Sequence, residues 1–268
     1  MIYPHRFRLT EILVLMLIVP AIAGFATSAV VAQSPEPLIV DNASTANVKL
    51  TATPLDALDG VQSPGEQVLL PAGFHATVVA SGLSGPRFMV FDTAGNLLVA
   101  DQKDGAVYRY TADAASVIAP AGTPPEPLIA GLDGPSSLAF TEIDGATYLY
   151  VGEESQISRY AYGANGAVGD AEIVVPGLPV GGHSTRTVTF GPDGLLYVAI
   201  GSSCNICEED DPRRATVTRY NPDGSGEEIV ATGLRNAVGL AFQPGTDRLW
   251  AAVNDRDNQG NEIPPDLV

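Results

Sequence analysis

One pattern recurs four times in this chain and leaves little freedom in the choice of fold. Gly-Leu, a short turn, an apolar strand ending in Phe, a Gly-containing turn and a second apolar strand follow one another in fixed order. The copies begin as GLSGPRFMVF at 82–91, GLDGPSSLAF at 131–140, GLPVGGHSTRTVTF at 177–190 and GLRNAVGLAF at 233–242. Their second strands are carried by LLVAD, TYLYVGEE, LLYVAIGS and RLWAAVND. The closing residues Phe91, Phe140, Phe190 and Phe242 stand 49, 50 and 52 positions apart. A third strand ends in a matching triplet in three copies, YRY at 108–110, SRY at 158–160 and TRY at 218–220, and segments such as EPLIAGL and EEIVATGL supply a fourth. Four short strands per roughly fifty residues mark a β-propeller blade, a unit that buries its faces only against its neighbours. No segment after residue 33 carries a helical period. The predicted fold is all-β, a β-propeller over 68–268 with four blades. The fourth copy reaches IPPDLV shortly after its second strand, so the chain reads as a truncated part of a larger, six-bladed ring whose closure would protect strand edges.

The segments before the repeats read differently. Arg6 and Arg8 precede an uncharged stretch from Ile12 to Ala32 that ends in Val30-Val31-Ala32. A basic start, an apolar run and small residues at its end predict a secretory signal peptide over 1–32, cleaved before Gln33. An uncleaved membrane anchor is the alternative, since the run is long enough to span a bilayer; either places the remainder in the periplasm or outside the cell. Residues 33–67, rich in Ser, Pro, Ala, Thr and Asp, read as a flexible linker or a loosely attached arm. The formal charge of −17 argues against nucleic-acid backbones and anionic membranes as partners. Cations and neutral small molecules suit it better.

Chemistry concentrates in the third and fourth copies. His183 lies in GGHSTR, within a turn four residues longer than its counterparts. Turns before the first strand of a blade surround the mouth of the axial channel, where a neutral imidazole can take a proton from a hydroxyl. The plainer alternative is a His hydrogen-bonded inside a Gly-rich loop. Arg235 and Asn236 occupy the equivalent turn of the fourth copy, so they share that face. Arg235 suits a carboxylate-bearing ligand, or else bridges neighbouring blades. Cys204 and Cys207, in CNIC, read as a local disulfide in an exported protein. Haem attachment is excluded because Glu208 follows where His is required. A zinc site lacks two further ligands. Asn254, Asp255, Asp257, Asn258 and Glu262 offer oxygen ligands around Gly260, compatible with calcium outside an EF-hand. His75 reads as a structural or surface residue.

The segments GGHSTRTVTFGPDGLLYVAIGSSCNICEED, DPRRATVTRYNPDGSGEE and GLRNAVGLAFQPGTDRLW resemble the glucose/sorbosone dehydrogenase family, especially its sorbosone dehydrogenase-like branch. That family consists of exported six-bladed propellers using pyrroloquinoline quinone (PQQ) and calcium. The resemblance implies an oxidoreductase acting on a sugar hydroxyl or sugar aldehyde, with an external electron acceptor. His183 then matches the general base, Arg235 and Asn236 the cofactor-binding pair, and Asn254 a cofactor contact. Asp255 and Arg256 match metal contacts made through backbone carbonyls. Two departures stand out: Val238 replaces a Gln found in the glucose dehydrogenases, and Asp255 replaces a Gly usual at the metal-contacting segment. The competing expectations are a non-catalytic propeller that serves as a binding scaffold, and a gluconolactonase-like metal-dependent hydrolase.

Overall fold

The computed structural model describes residues 12–15, 50–57, 67–112, 125–260 and 266–268. The described residues form strands, turns and loops, with no helix. Three of the repeats are four-stranded antiparallel sheets whose strands pair in chain order. Blade 1 comprises Pro86–Phe91, Leu97–Asp101, Ala106–Tyr110 and Ile129–Ala130. Blade 2 comprises Ser137–Ile143, Ala146–Gly152, Ile157–Tyr162 and Val168–Val175. Blade 3 comprises Arg186–Phe190, Leu196–Ile200, Thr216–Tyr220 and Glu228–Thr232. The fourth repeat pairs Asn236–Phe242 with Leu249–Asn254, and Leu267 bridges to Val253.

The second strand of each complete blade is a nearly unbroken apolar run because both of its faces are covered. Side chains alternate across a strand, so Leu97 and Val99 join one core cluster while Leu98 and Ala100 join the next, together with Leu149 and Val151 of blade 2. In blade 3, Leu196, Val198 and Ile200 face blade 2, and Tyr197 and Ala199 face the fourth repeat. The core therefore lies in layers between blades. Three of the repeated Phe residues rest edge-on against a Tyr: Phe140 on Tyr162, Phe190 on Tyr150 and Phe242 on Tyr197. Phe91 has no such partner among the described residues and is half exposed.

In blades 1 and 2 the repeated Arg of the third-strand triplet locks one blade to the next, whereas Arg219 of blade 3 pairs with Glu228 and Asp193 of its own blade. Arg109 of blade 1 donates to the carbonyl of Gly166 in blade 2. Arg159 of blade 2 donates to the carbonyl of Pro222 in blade 3 at 3.3 Å, and to the Tyr150 hydroxyl. Arg159 also lies 5.0 Å from the centre of the Tyr148 ring and makes two hydrogen bonds to Glu172. Glu172 is largely exposed, so that ion pair contributes little; the contacts across the blade junction carry the weight. Arg159→Ala is expected to cost about 1–3 kcal/mol, measured by chemical denaturation. An unchanged stability would remove the strut.

Register also separates blades 1 and 2 from blades 3 and 4. Phe91, Phe140, Phe190 and Phe242 face Leu97, Leu149, Leu196 and Leu249 across the first hairpin. Four residues beyond these leucines stand Asp101, Glu153, Ile200 and Val253. The first two are buried carboxylates that hold the preceding turn by its backbone: Asp101 accepts from the amides of Ser84 and Gly85, and Glu153 from the amide of Asp133. Blades 3 and 4 replace this carboxylate with an apolar residue, and other groups secure the turn.

Residues 50–57, inside the segment expected to be a linker or loose arm, make two strand pairings. Leu50–Pro54 runs antiparallel to Gln67–Pro71, and Asp56–Ala57 runs parallel to Thr77–Ser81. Alternating apolar residues on Gln67–Pro71 give this pairing a buried side: Leu55, Leu70, Ala76 and Val78 form a small cluster. Ile12–Leu15 also pairs with Thr77–Ser81. The rest of the expected signal peptide and the expected cleavage point lie outside the described residues.

Candidate active site

Blades 1 and 3 meet over the turn of blade 2 at the end where the expected site residues gather. Arg87 donates to the Thr185 hydroxyl at 3.1 Å and Gln102 to the Ser184 hydroxyl at 3.2 Å. The enlarged turn of blade 3 thus contacts blade 1 directly.

That turn is braced by two buried arginines. Arg186, fully buried, donates through one guanidinium nitrogen to the carbonyls of His183 and Thr185, and through the other to Pro179. Arg214, also buried, donates to the carbonyls of Gly181 and Gly201 through one terminal nitrogen and to Val180 through the other. From blade 2, Glu154 accepts from the amide of Gly181 at 2.7 Å. Burial, and then the like charge of Arg214, push the Arg186 guanidinium down to about 10. It remains a cation at neutral pH, and aligned carbonyl dipoles stabilise it in place of a paired carboxylate.

His183 projects from this braced turn, and Ser202 fixes its ring. The backbone amide of His183 donates to the Ser202 carbonyl at 3.0 Å. Its Nδ1 lies 2.8 Å from the same carbonyl and 3.0 Å from the Ser202 hydroxyl. A carbonyl only accepts, so Nδ1 carries the proton. The Ser202 hydroxyl donates its own proton to the Cys204 carbonyl at 2.7 Å, which leaves it as a second acceptor for Nδ1–H. In its neutral form the ring therefore keeps its lone pair on Nε2, which makes no hydrogen bond among the described residues. That is the tautomer a general base needs.

Close backbone approach makes this arrangement possible. Gly182 has φ of 65°, and a Cβ there would come within 2.4 Å of the Ser203 carbonyl oxygen. A Cβ on Gly201 would lie 2.5 Å from the His183 Cβ and 2.6 Å from Asn236 Oδ1. Gly201→Ala is therefore expected to destabilise the chain by about 1–3 kcal/mol through overpacking, and to displace His183. Unchanged denaturation would contradict this packing.

The expected site residues, with neighbours that the sequence did not single out, fall into two linked groups. His183, Ser202, Gly201 and Asn236 form the first. Asn236 is buried, and its Oδ1 has no partner among the described residues. Arg235, Asn205, Asn254, Asp255 and Asp257 form the second. Arg235 donates to the Asn254 carbonyl at 3.1 Å, the Asp255 carbonyl at 2.6 Å, the Asn205 carbonyl at 3.1 Å and side chain at 2.9 Å, and the Asp257 carboxylate at 2.8 Å. The two groups join where the Ser202 amide donates to the Arg235 carbonyl at 2.7 Å, and where Asn236 faces Asn254 across the hairpin. Cys204 and Cys207 are disulfide-bonded. Their loop, with Arg235, Asp255 and Arg256, lines an open cleft of about 320 Å³. The amide and side chain of Arg256 rest on the Asp255 carboxylate at 2.7 and 3.4 Å. His75 is exposed and takes part in none of these contacts.

Sequence reasoning missed Ser202, Asn205, Arg186 and Arg214. Ser202 carried a faint signal, because it falls just beyond the second strand of the blade whose buried carboxylate is lost. The other three carried none beyond their proximity to Gly-rich or Cys-containing turns. Among the described residues no three His, Cys, Asp or Glu side chains cluster closely enough to hold a metal ion.

A model of the TrAA12-like family matches residues 68–263. A Hypocrea jecorina protein named pyrroloquinoline quinone-dependent sugar dehydrogenase is 28% identical over 224 residues, 73% of this chain and 50% of that one. An uncharacterized Borreliella burgdorferi protein is 34% identical over 87 residues, 32% of this chain and 23% of its own length. The calcium structure of the Trichoderma reesei Carbohydrate-Active Enzymes Family AA12 protein has a TM-score of 0.56 at 25% identity, covering 68% of this chain and 48% of that one. The holo PQQ domain of Coprinopsis cinerea pyranose dehydrogenase shares the fold, with a TM-score of 0.63 at 22% identity, covering 80% of this chain and 55% of that domain's. The chain spans at most half the length of these curated relatives.

Proposed function

Because the chain belongs to the TrAA12-like family of pyrroloquinoline quinone-dependent sugar dehydrogenases, we propose that it is an exported oxidoreductase acting on a hydroxyl of a sugar or sugar aldehyde. His183 is its general base, PQQ and calcium are its cofactors, and an external acceptor receives the electrons. The observation that carries this reading is the fixed ring of His183. Nδ1–H is held by Ser202, and Nε2 keeps its lone pair at the axial end of the blades. In the proposed reaction the substrate hydroxyl gives its proton to Nε2. The quinone, when bound, supplies a hydride acceptor.

The residues fit such a group on one count: Asn236 carries a buried amide oxygen without a partner among the described residues. Asn236, Asn254 and Arg235 would hold the cofactor. Arg235 would have to do so with a guanidinium already engaged by Asn205 and by the 254–257 segment. For calcium, the Asp255 carbonyl receives the Arg235 cation at 2.6 Å. The Asp257 carboxylate also receives Arg235 and the Asp255 carboxylate receives Arg256, so the Arg256 carbonyl is the oxygen donor that suits the metal better.

Calorimetric titration of PQQ into the full chain, with calcium and then with a chelator, tests this reading. Stoichiometric binding that weakens on chelation is the expected result. Heat-free titration of a folded sample would count against it, and would favour a scaffold role for the propeller.

A further inference from the structure

The CNIC loop stands at the junction of the two residue groups of the site, and its role there goes beyond that of a covalent staple. Its base is pinned beside the proposed general base. The Ser202 hydroxyl donates to the Cys204 carbonyl, and the Ser203 amide donates to both oxygens of Glu209 at 2.9 and 3.1 Å. Its tip is pinned to the fourth repeat. Asn205 accepts from Arg235 on its carbonyl at 3.1 Å and on its side-chain oxygen at 2.9 Å. The same side-chain oxygen accepts from the Asp257 amide at 2.8 Å, and the Asn205 amide group donates to the Asp257 carbonyl at 2.9 Å. One side chain therefore uses its acceptor twice and its donor once, and the Cys204–Cys207 bond closes the loop on either side of it.

We propose that Asn205, held by the Cys204–Cys207 loop, is a positioning residue that sets the Arg235 guanidinium and the 254–257 segment relative to His183. The Arg235 side chain is only 10% exposed, whereas its ion-pair partner Asp257 is 72% exposed. A pair with one end in water is screened and contributes little orientation. The neutral contacts to Asn205 lie on the less exposed side and fix both Nε and one terminal nitrogen of the guanidinium. Asn205 also ties down the segment whose carbonyls take the remaining terminal nitrogen. If the Asn205 side chain is removed, Arg235 keeps its charge and its bond to the residue-205 carbonyl but loses the side-chain oxygen that it shares with the Asp257 amide. The consequence for cofactor binding rests on the proposed function; the consequence for the 254–257 segment does not.

The test uses the full chain and its Asn205→Ala, Asn205→Asp and Cys204→Ser/Cys207→Ser variants. PQQ is titrated with calcium present and followed by the fluorescence of Trp250, the single Trp of the chain, on the strand leading into 254–257. Asn205→Ala is expected to weaken binding at least about tenfold. Asn205→Asp, which keeps the doubly used acceptor, is expected to stay within about threefold of the parent. The double Ser variant is expected to weaken binding by about three- to tenfold. Parental affinity in Asn205→Ala, or an equal loss in Asn205→Asp, would overturn the proposal. Hydrogen exchange at the Asp257 amide gives a readout that needs no cofactor: exchange at least about tenfold faster in Asn205→Ala supports the clamp, and unchanged exchange overturns it. A parent chain that binds no PQQ sinks the proposed function alone, and the exchange measurement then decides the positioning role.

Discussion

Replacement of His183 by Ala is expected to lower sugar turnover by about 100-fold or more, while PQQ affinity changes by less than about threefold. The two effects separate because the ring acts at Nε2, whereas its other atoms face Ser202. Without an acceptor for the hydroxyl proton, charge builds up on the substrate oxygen in the transition state with nothing to receive it. His183→Gln gives a second check. It can still donate toward the Ser202 carbonyl and so preserves the local packing, but its amide has no basic nitrogen. Both variants are expected to lose turnover together. Near-normal turnover in either would remove His183 from the role of base, and loss of PQQ binding with intact turnover chemistry would reassign it to the cofactor.

The second large effect concerns stability. Arg186→Met removes a fully buried cation and leaves the carbonyls of Pro179, His183 and Thr185 without their donor. Each stranded acceptor costs about 1–3 kcal/mol, and release of the buried charge offsets part of that. A net loss of about 3 kcal/mol is expected, which for a domain of this size lowers the melting temperature by roughly 6–12 °C. Arg186→Lys retains the charge but has no planar fork to reach three carbonyls from one position, so it is expected to recover less than half of the loss. A melting temperature within about 2 °C of the parent for Arg186→Met would mean that Glu154 and Arg214 hold the His183 turn unaided.

The fold was legible because every blade imposes the same demand on its sequence. Leu97, Leu149 and Leu196 lie on strands covered on both faces, and each Phe–Leu pairing repeats the same hairpin register. A pattern that must recur once per blade is visible without knowing what packs on it. His183 was legible for the opposite reason, as an ionisable group inserted where the other copies have a tight turn. Arg235 was visible as a residue but not in its commitments, since nothing in Leu-Arg-Asn announces four partners in two other loops. Arg186 and Arg214 remained hidden because they act on backbone carbonyls, and Asn205 because its partners Arg235 and Asp257 lie 30 and 52 positions away. A carbonyl is present at every position, so a side chain that binds one has no complementary residue to reveal the pairing. The strand pairing of residues 50–57 was hidden in the same way, by a composition shared between tethers and short edge strands.

Dye-linked oxidation of a panel of aldoses by the full chain loaded with PQQ and calcium tests the central claim most directly. Sugar-dependent dye reduction that requires the cofactor and disappears in His183→Ala is the predicted result. Stoichiometric PQQ binding with no sugar-dependent reduction across the panel would contradict it.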